Sequence, residues 1–85
     1  MLHIISNPNA IEACTQHLLD EDEMIFIGDG VYGLDDAKLD SRFRVYALES
    51  DLGARGIAAT SNVTPANMTQ FICLVVQHTS SVTWT

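Results

Sequence analysis

Basic residues are scarce in this chain. Four Lys and Arg stand against eleven Asp and Glu, for a formal net charge of −7. Phosphate backbones are gripped by clustered Lys and Arg, so the balance argues against direct binding to nucleic acid, while it favours solubility. Charge of either sign then stops altogether, because no Asp, Glu, Lys or Arg follows Arg55. Residues 1–42 hold nine acids and two basic residues, and residues 43–85 hold two of each. A solvated surface normally carries charges over such a length. One reading is a region of strand and helix with Ser, Thr, Asn and Gln facing water. The sharper one is a protein–protein interface, since interface cores are depleted in charge.

Cysteine is nearly absent as well. Cys14 and Cys73 form no C-x-x-C, which leaves no metal framework or disulfide scaffold. His3, His17 and His78 are scattered and make no metal set, and no Ser/His/Asp order at usable spacing points to a hydrolase. No cofactor is expected. No apolar run approaches the ~20 residues of a membrane span, and no signal-peptide pattern is recognisable. The expected compartment is the cytoplasm, with both thiols reduced. The 85 residues form one domain, 1–85, and 47% of them are hydrophobic. A chain this small is marginally stable alone, and so much apolar content points to surplus hidden in an oligomer interface.

Strand and helix signals alternate along the chain. Leu2–Ile5 reads as a short apolar strand. Asn7-Pro8 opens a helix, with a capping residue followed by Pro at the first helical position. Ile11, Cys14, Thr15, Leu18 and Leu19 recur at helical spacing, and the acids Asp20–Glu23 stop that helix near Leu19 or Asp20, where the dipole disfavours them. Met24–Ile27 is a continuous apolar run, as expected of a strand buried on both faces. A short helical segment is expected from about Val31 to Leu39, then a strand at Arg44–Leu48 and a brief helix at Glu49–Arg55 closed by Gly56. A fourth strand is expected within Ala58–Val63. Thr64-Pro65 opens a last helix lined by Met68, Phe71, Leu74, Val75 and His78, and Ser81–Trp84 is a final strand. This alternation predicts a small three-layer α/β domain with a mostly parallel sheet of about four to five strands.

Residues Gly28-Asp29-Gly30 and Gly33, after an apolar strand, spell G-x-G-x-x-G, with Glu49 about 20 residues on where a ribose ligand would sit. Against a dinucleotide site stand the chain length, which barely supplies one sheet, the poor helix that follows, and Asp29 inside the turn. A pyrophosphate needs a firm helix N-terminus. The other reading is a tight strand-to-helix turn in which glycine supplies unusual backbone angles. Asp29 itself either faces the ligand end of the sheet or caps the turn.

Matches to one family run from end to end. The chain opens Met1-Leu2-His3, the turn contains Asp29-Gly30-Val31-Tyr32, and Val45-Tyr46-Ala47-Leu48-x-x-Asp51-Leu52-x-Ala54-Arg55-Gly56 follows. Near the end come Phe71-x-x-Leu74-x-x-x-His78 and Trp84. In order and at compatible spacing, these segments resemble the TusB/DsrH family of sulfur-relay subunits. The segment between Tyr32 and Arg42 is shorter than usual, and Pro65-Ala66-Asn67-Met68 replaces the acidic-tyrosine pair before the last helix. The resemblance implies a DsrE/F/H-like fold and assembly with two related small subunits, TusC/DsrF-like and TusD/DsrE-like, in a heterohexamer. Such complexes hand a persulfide sulfur from cysteine to cysteine and on to a downstream sulfur carrier protein. The end point is 2-thiolation of a wobble uridine in tRNA in the Tus branch, and sulfur oxidation in the Dsr branch. The alternative from a different class is a small nucleotide- or ligand-binding domain using Gly28–Gly33.

Under this resemblance the subunit is mainly structural, a non-catalytic or accessory sulfurtransferase component. Cys14 falls where some DsrH-type members carry a cysteine in the first helix, and it is the candidate persulfide carrier. Relay requires a reachable thiolate; His17 one turn away favours it, while Glu12 and the acid cluster oppose it. The competing reading is a half-buried packing cysteine. Cys73 lies off the Phe71/Leu74/Val75 face and has no evident base. His78 is expected to cap helix carbonyls or to bond across an interface, and Trp84 to anchor packing.

Overall fold

The computed structural model describes residues 1–34, 43–59 and 62–85. Five strands form one sheet: β1 (Leu2–Ile5), β2 (Glu23–Phe26), β3 (Arg44–Leu48), β4 (Val63–Ala66) and β5 (Ser81–Trp84). Their spatial order is β4-β3-β2-β1-β5, and every neighbouring pair is parallel. Helices α1 (Ile11–Thr15), α2 (Glu49–Arg55) and α3 (Met68–Gln77) connect them, with 3-10 turns at Pro8–Ala10 and Gly28–Gly33. The fold is the expected α/β domain. None of the described helices is long and apolar enough to cross a membrane.

The strand register sorts the side chains onto two faces. Ile5, Met24, Phe26, Val45, Ala47 and Val63 point to one side, where Cys14, Val31, Leu34 and Leu52 from the first two helices and the glycine turn close over them. Leu2, Ile4, Ile25 and Ala66 point to the other, where Leu74 and Phe71 of α3 cover them. The chain steps outward from β1 to β4 with its connections on the first face. It then returns past the whole sheet, through α3 on the second face, to add β5 beside β1. A reversal of stepping direction requires the opposite face if crossovers are to stay right-handed.

Several local expectations shift. Helix α1 ends at Thr15, four or five residues before the expected stop. Thr15 Oγ1 donates to the Glu12 carbonyl at 2.8 Å, and the His17 ring nitrogen Nδ1 bonds the Ala13 carbonyl at 2.9 Å. The Glu12 carbonyl still accepts from the Gln16 N–H, but the His17 ring takes the Ala13 carbonyl that continued helix would use, and the His17 N–H turns to the Cys14 carbonyl at 2.9 Å. The Leu19 N–H goes instead to the Asp22 carboxylate at 3.0 Å. The second strand sits one residue early, at Glu23–Phe26. The helical segment expected from Val31 begins earlier, as the 3-10 turn Gly28–Gly33, and its remainder at 35–39 lies outside the described residues.

The largest shift is at residues 58–68. Thr64-Pro65 does not open the last helix but lies inside β4, which is an edge strand where Pro removes no ladder donor. Asn67 caps α3 instead. Its side chain accepts from Gln70 N–H at 2.8 Å, and the Gln70 side chain accepts from Asn67 N–H at 2.8 Å, a reciprocal capping box. Gly56 ends α2 as expected, with φ 65° and ψ 31° and the Ile57 N–H reaching the Leu52 carbonyl at 3.0 Å.

Gly30 shows why the glycine turn packs so tightly. A Cβ there would overlap the backbone carbonyl of Ile5 at the end of β1, whereas one at Gly53 would meet nothing within 4 Å. Gly30→Ala is therefore expected to cost about 1–3 kcal/mol or more, as overpacking against fixed backbone does. Gly53→Ala, in open space on α2, is expected to stabilise by about 0.5–1 kcal/mol. Urea denaturation midpoints of the two variants check both signs.

Candidate functional site

The two most specific sequence segments meet at the carboxyl end of β2 and β3. The Gly28 N–H donates to Asp51 Oδ2 at 2.8 Å. Arg55 Nε and Nη2 donate to Asp29 Oδ1 at 3.2 and 3.0 Å, and Arg55 Nη1 donates to Asp51 Oδ1 at 3.2 Å. The guanidinium also lies 5.8 Å from the centre of the exposed Tyr32 ring. Asp29 and Tyr32 come from the glycine turn, Asp51 and Arg55 from α2, so one arginine ties the two segments together. The motif residues form a polar clamp across two strand ends.

The same geometry decides what the glycines do. The Gly28 N–H, which a phosphate would seek, is already engaged by a carboxylate of the protein. Gly30 is small because Ile5 lies beneath it, and Gly33 because Ile11 and Pro8 do. Glu49 is exposed at the start of α2. These contacts support the packing reading of Gly28–Gly33 over a phosphate cradle.

At the opposite end of the sheet lies a network that the sequence did not announce. Asp22 is 6% exposed and His3 2%. Trp84 Nε1–H donates to His3 Nδ1 at 3.1 Å, so Nδ1 carries a lone pair and the ring proton is on Nε2. Nε2–H then donates to Asp22 Oδ2 at 2.9 Å. Asp22 also accepts from the Leu19 N–H and from the terminal ammonium at 3.1 Å. Trp84 is thus a packing anchor, as expected, and its indole also stacks near His3 and tilts against His17 at 5.6 Å between ring centres. The only sequence signals were a polar His inside an apolar strand and one acid in a run of four. His78, expected to cap carbonyls or bond across an interface, has its Nε2 2.7 Å from Glu23 Oε1, and Tyr46 OH donates to the other oxygen at 3.3 Å.

The two thiols differ sharply. Cys14 on α1 is fully buried in the larger core cluster. Burial, and then the negative charge of Asp22, push its pKa up to about 11. The proximity of His17 does not offset this, since the Nδ1 of His17 is turned back to its own helix. Cys73 on α3 is exposed. It walls a groove of about 310 Å³ together with Arg44, Tyr46, Thr64, Gln70 and Gln77. Among the described residues no group of three His, Cys, Asp or Glu is placed to hold a metal ion.

Two measurements test this geometry. Native-state alkylation followed by mass spectrometry is expected to modify Cys73 rapidly and Cys14 only after unfolding, because reaction needs both access and thiolate. Asp22 is the pH-sensitive group. Burial acts to raise its pKa, but the hydrogen bonds from His3, Leu19 and the terminal ammonium outweigh it and lower the value below the ordinary 3.8. A depressed folded pKa contributes stability that is present above the unfolded value and is lost as pH falls through the folded one. Denaturant stability is therefore expected to lose this contribution progressively below about pH 4. Asp22→Asn is expected to cost about 1–3 kcal/mol at pH 7 and to flatten the acid limb.

Comparison with known proteins agrees with the motif reading. The family model described as DsrH like protein matches residues 6–81. Protein TusB of Escherichia fergusonii is 35% identical over 81 residues, covering 85% of each chain. Protein TusB of Escherichia coli strain SMS-3-5 is also 35% identical over 81 residues, and that of E. coli O1:K1 33%, each with the same coverage. With a family match spanning nearly the whole fold, and with the clamp built from the family's own motif residues, this chain belongs to the TusB/DsrH family.

Proposed function

We propose that this chain is an architectural subunit of a cytoplasmic sulfur-relay complex in which persulfide sulfur passes between cysteines of other subunits on the way to 2-thiolation of a wobble uridine in tRNA. Family membership places it in a multi-subunit sulfur relay; the name Protein TusB carried by its relatives favours the tRNA branch over sulfur oxidation. The observation that carries the architectural role is the state of Cys14. With a pKa near 11, about one thiol in ten thousand is ionised at pH 7, and the sulfur has no exposed surface. Sulfur transfer by attack on a persulfide needs an accessible anion. On this reading Cys14 fills the core between α1 and the sheet. The partners are two related small subunits in a heterohexamer and a downstream sulfur carrier protein.

The test is co-expression with the related subunits, purification of the complex, loading with persulfide sulfur, and intact-mass detection of added sulfur on each chain. Added sulfur is expected on a partner and not on Cys14. Cys14→Ala is expected to leave relay through the assembled complex unchanged while lowering the chain's stability by about 1–2 kcal/mol, the effect of emptying a small buried site. Sulfur on Cys14, or loss of relay in a folded Cys14→Ala complex, overturns the architectural reading. Failure to co-purify with the related subunits overturns the complex itself.

A further inference from the structure

Both ring nitrogens of the buried His3 are engaged, and they respond to a proton in opposite ways. A neutral imidazole has one lone pair in its ring plane, and in His3 the Trp84 indole N–H occupies it, at 3.1 Å from Nδ1. A proton can enter Nδ1 only by displacing that bond, after which two N–H donors face each other. The indole N–H also lies in its own ring plane, so the indole turns its positive edge, not its negative face, toward the new cation. At the other nitrogen, Nε2–H donates to Asp22 Oδ2 at 2.9 Å. A charged donor strengthens a bond to a carboxylate. Asp22 therefore holds the ring in either state, and the conflict falls on Trp84.

Trp84 ends an edge strand. β5 has one neighbour, β1, and its four residues are exposed or half-buried. The Trp84 side chain packs against the larger core cluster. Its carbonyl accepts the Ser6 N–H at 3.1 Å and the Ser6 hydroxyl at 3.3 Å. The bond to His3 thus ties the end of β5 to β1 by a side chain, in addition to the backbone ladder.

The groups around His3 come from several elements. Asp22 stays ionised at mildly acid pH because its pKa is held below the ordinary 3.8, and its Oδ1 is taken by the terminal ammonium at 3.1 Å. That ammonium is the one like charge opposing an imidazolium, and Asp22 lies between the two. Asp20 and Glu21 of the same turn are exposed. Glu23 on β2 is occupied by His78 and Tyr46. On α1, Glu12 is exposed and Cys14 is a neutral thiol, with a pKa of about 11. His17 is exposed, with its ring centre 5.6 Å from that of Trp84. Its Nδ1 bonds the Ala13 carbonyl, so a second proton enters at Nε2 without breaking that bond. β5 carries no Asp, Glu, Lys or Arg.

We propose that His3 is a proton-operated latch on the last strand: neutral His3 holds the Trp84 indole, and proton uptake at Nδ1 releases it while Asp22 keeps the imidazolium in place. The latch goes beyond the relay function and does not depend on it.

Trp84 is the one tryptophan of the chain, so its emission and its indole N–H resonance report the latch directly. The full chain is titrated from about pH 8 to about pH 5, the range in which imidazoles change charge. The indole resonance is expected to shift and to exchange faster with water in step with the His3 ring signals. The Ser6 amide is expected to lose protection while far-UV circular dichroism stays constant. His3→Gln keeps a donor and an acceptor but takes up no proton, and is expected to abolish the step. His17→Gln and His78→Gln are expected to leave it in place. Trp84→Phe keeps a ring without the N–H and is expected to move the His3 titration to higher pH, which carries the test if His3→Gln fails to fold. An indole resonance that stays fixed while His3 titrates overturns the proposal, as does a His3 ring that takes up no proton in this range. So does a step that survives in folded His3→Gln, vanishes in His17→Gln or coincides with global unfolding, or a His3 titration unmoved by Trp84→Phe.

Discussion

A parallel sheet exposes apolar residues on both faces and must be covered on both. In this chain one requirement is met generously and the other barely. Two helices, two 3-10 turns and the buried residues Cys14, Val31, Leu34 and Leu52 close the first face. Among the described residues, one helix of ten residues, α3, closes the second. The remaining features of the molecule follow from this imbalance. The crowded face forces Gly30 onto the Ile5 carbonyl and buries the Cys14 thiol. The sparse face leaves a helix that is apolar toward the sheet and apolar toward solvent.

Both ends of the sheet are held by a carboxylate that serves a backbone N–H and a side-chain donor at once. Asp51 takes the Gly28 N–H and Arg55 at the carboxyl end. Asp22 takes the Leu19 N–H and His3 at the amino end. In each case a chain reversal next to a buried strand would otherwise leave a polar backbone group without a partner, which costs as much as a lost hydrogen bond. The Trp84–His3–Asp22 chain adds that β5, the last strand in sequence, is fastened by its side chain to the first. Among the described residues no buried side-chain nitrogen or oxygen lacks a hydrogen-bond partner. The acids that look like a solvated run in sequence are therefore not equivalent, since Asp22 and Glu23 are structural while Asp20 and Glu21 face water.

The contrast between Cys14 and Cys73 shows how little residue type says about reactivity. A thiol acts through its anion, and the anion is disfavoured by burial and by neighbouring negative charge. Cys14 has both against it. Cys73 stands at the wall of an open groove near Arg44. Helical spacing put Cys14 at the edge of an apolar face, but the depth of that edge depended on how closely α1 approached the sheet. At that approach Gly33 packs against Ile11 and Pro8, and Gly33 is remote from Cys14 in any one-dimensional pattern.

Local chemistry was enough to read much of this protein from its residues. Leu2–Ile5 and Arg44–Leu48 are strands because short apolar runs between turn signals have few alternatives, and α2 ends at Gly56 because a left-handed cap favours glycine. Alternation of such elements already required a parallel α/β sheet, and the spread of family segments already indicated the family. Where two local signals competed, the sequence misled. Thr64-Pro65 has the spelling of a helix start, but the chain needed a fourth strand there, and an edge strand accepts proline. Asn67-x-x-Gln70, the reciprocal cap, then opened α3. Tertiary structure alone decided that Asp29, Tyr32, Asp51 and Arg55 converge, that His3 and Asp22 are buried partners, and that Cys14 is sealed. These depend on strand order and on the close approach of elements distant in sequence, which periodicity along one segment does not encode.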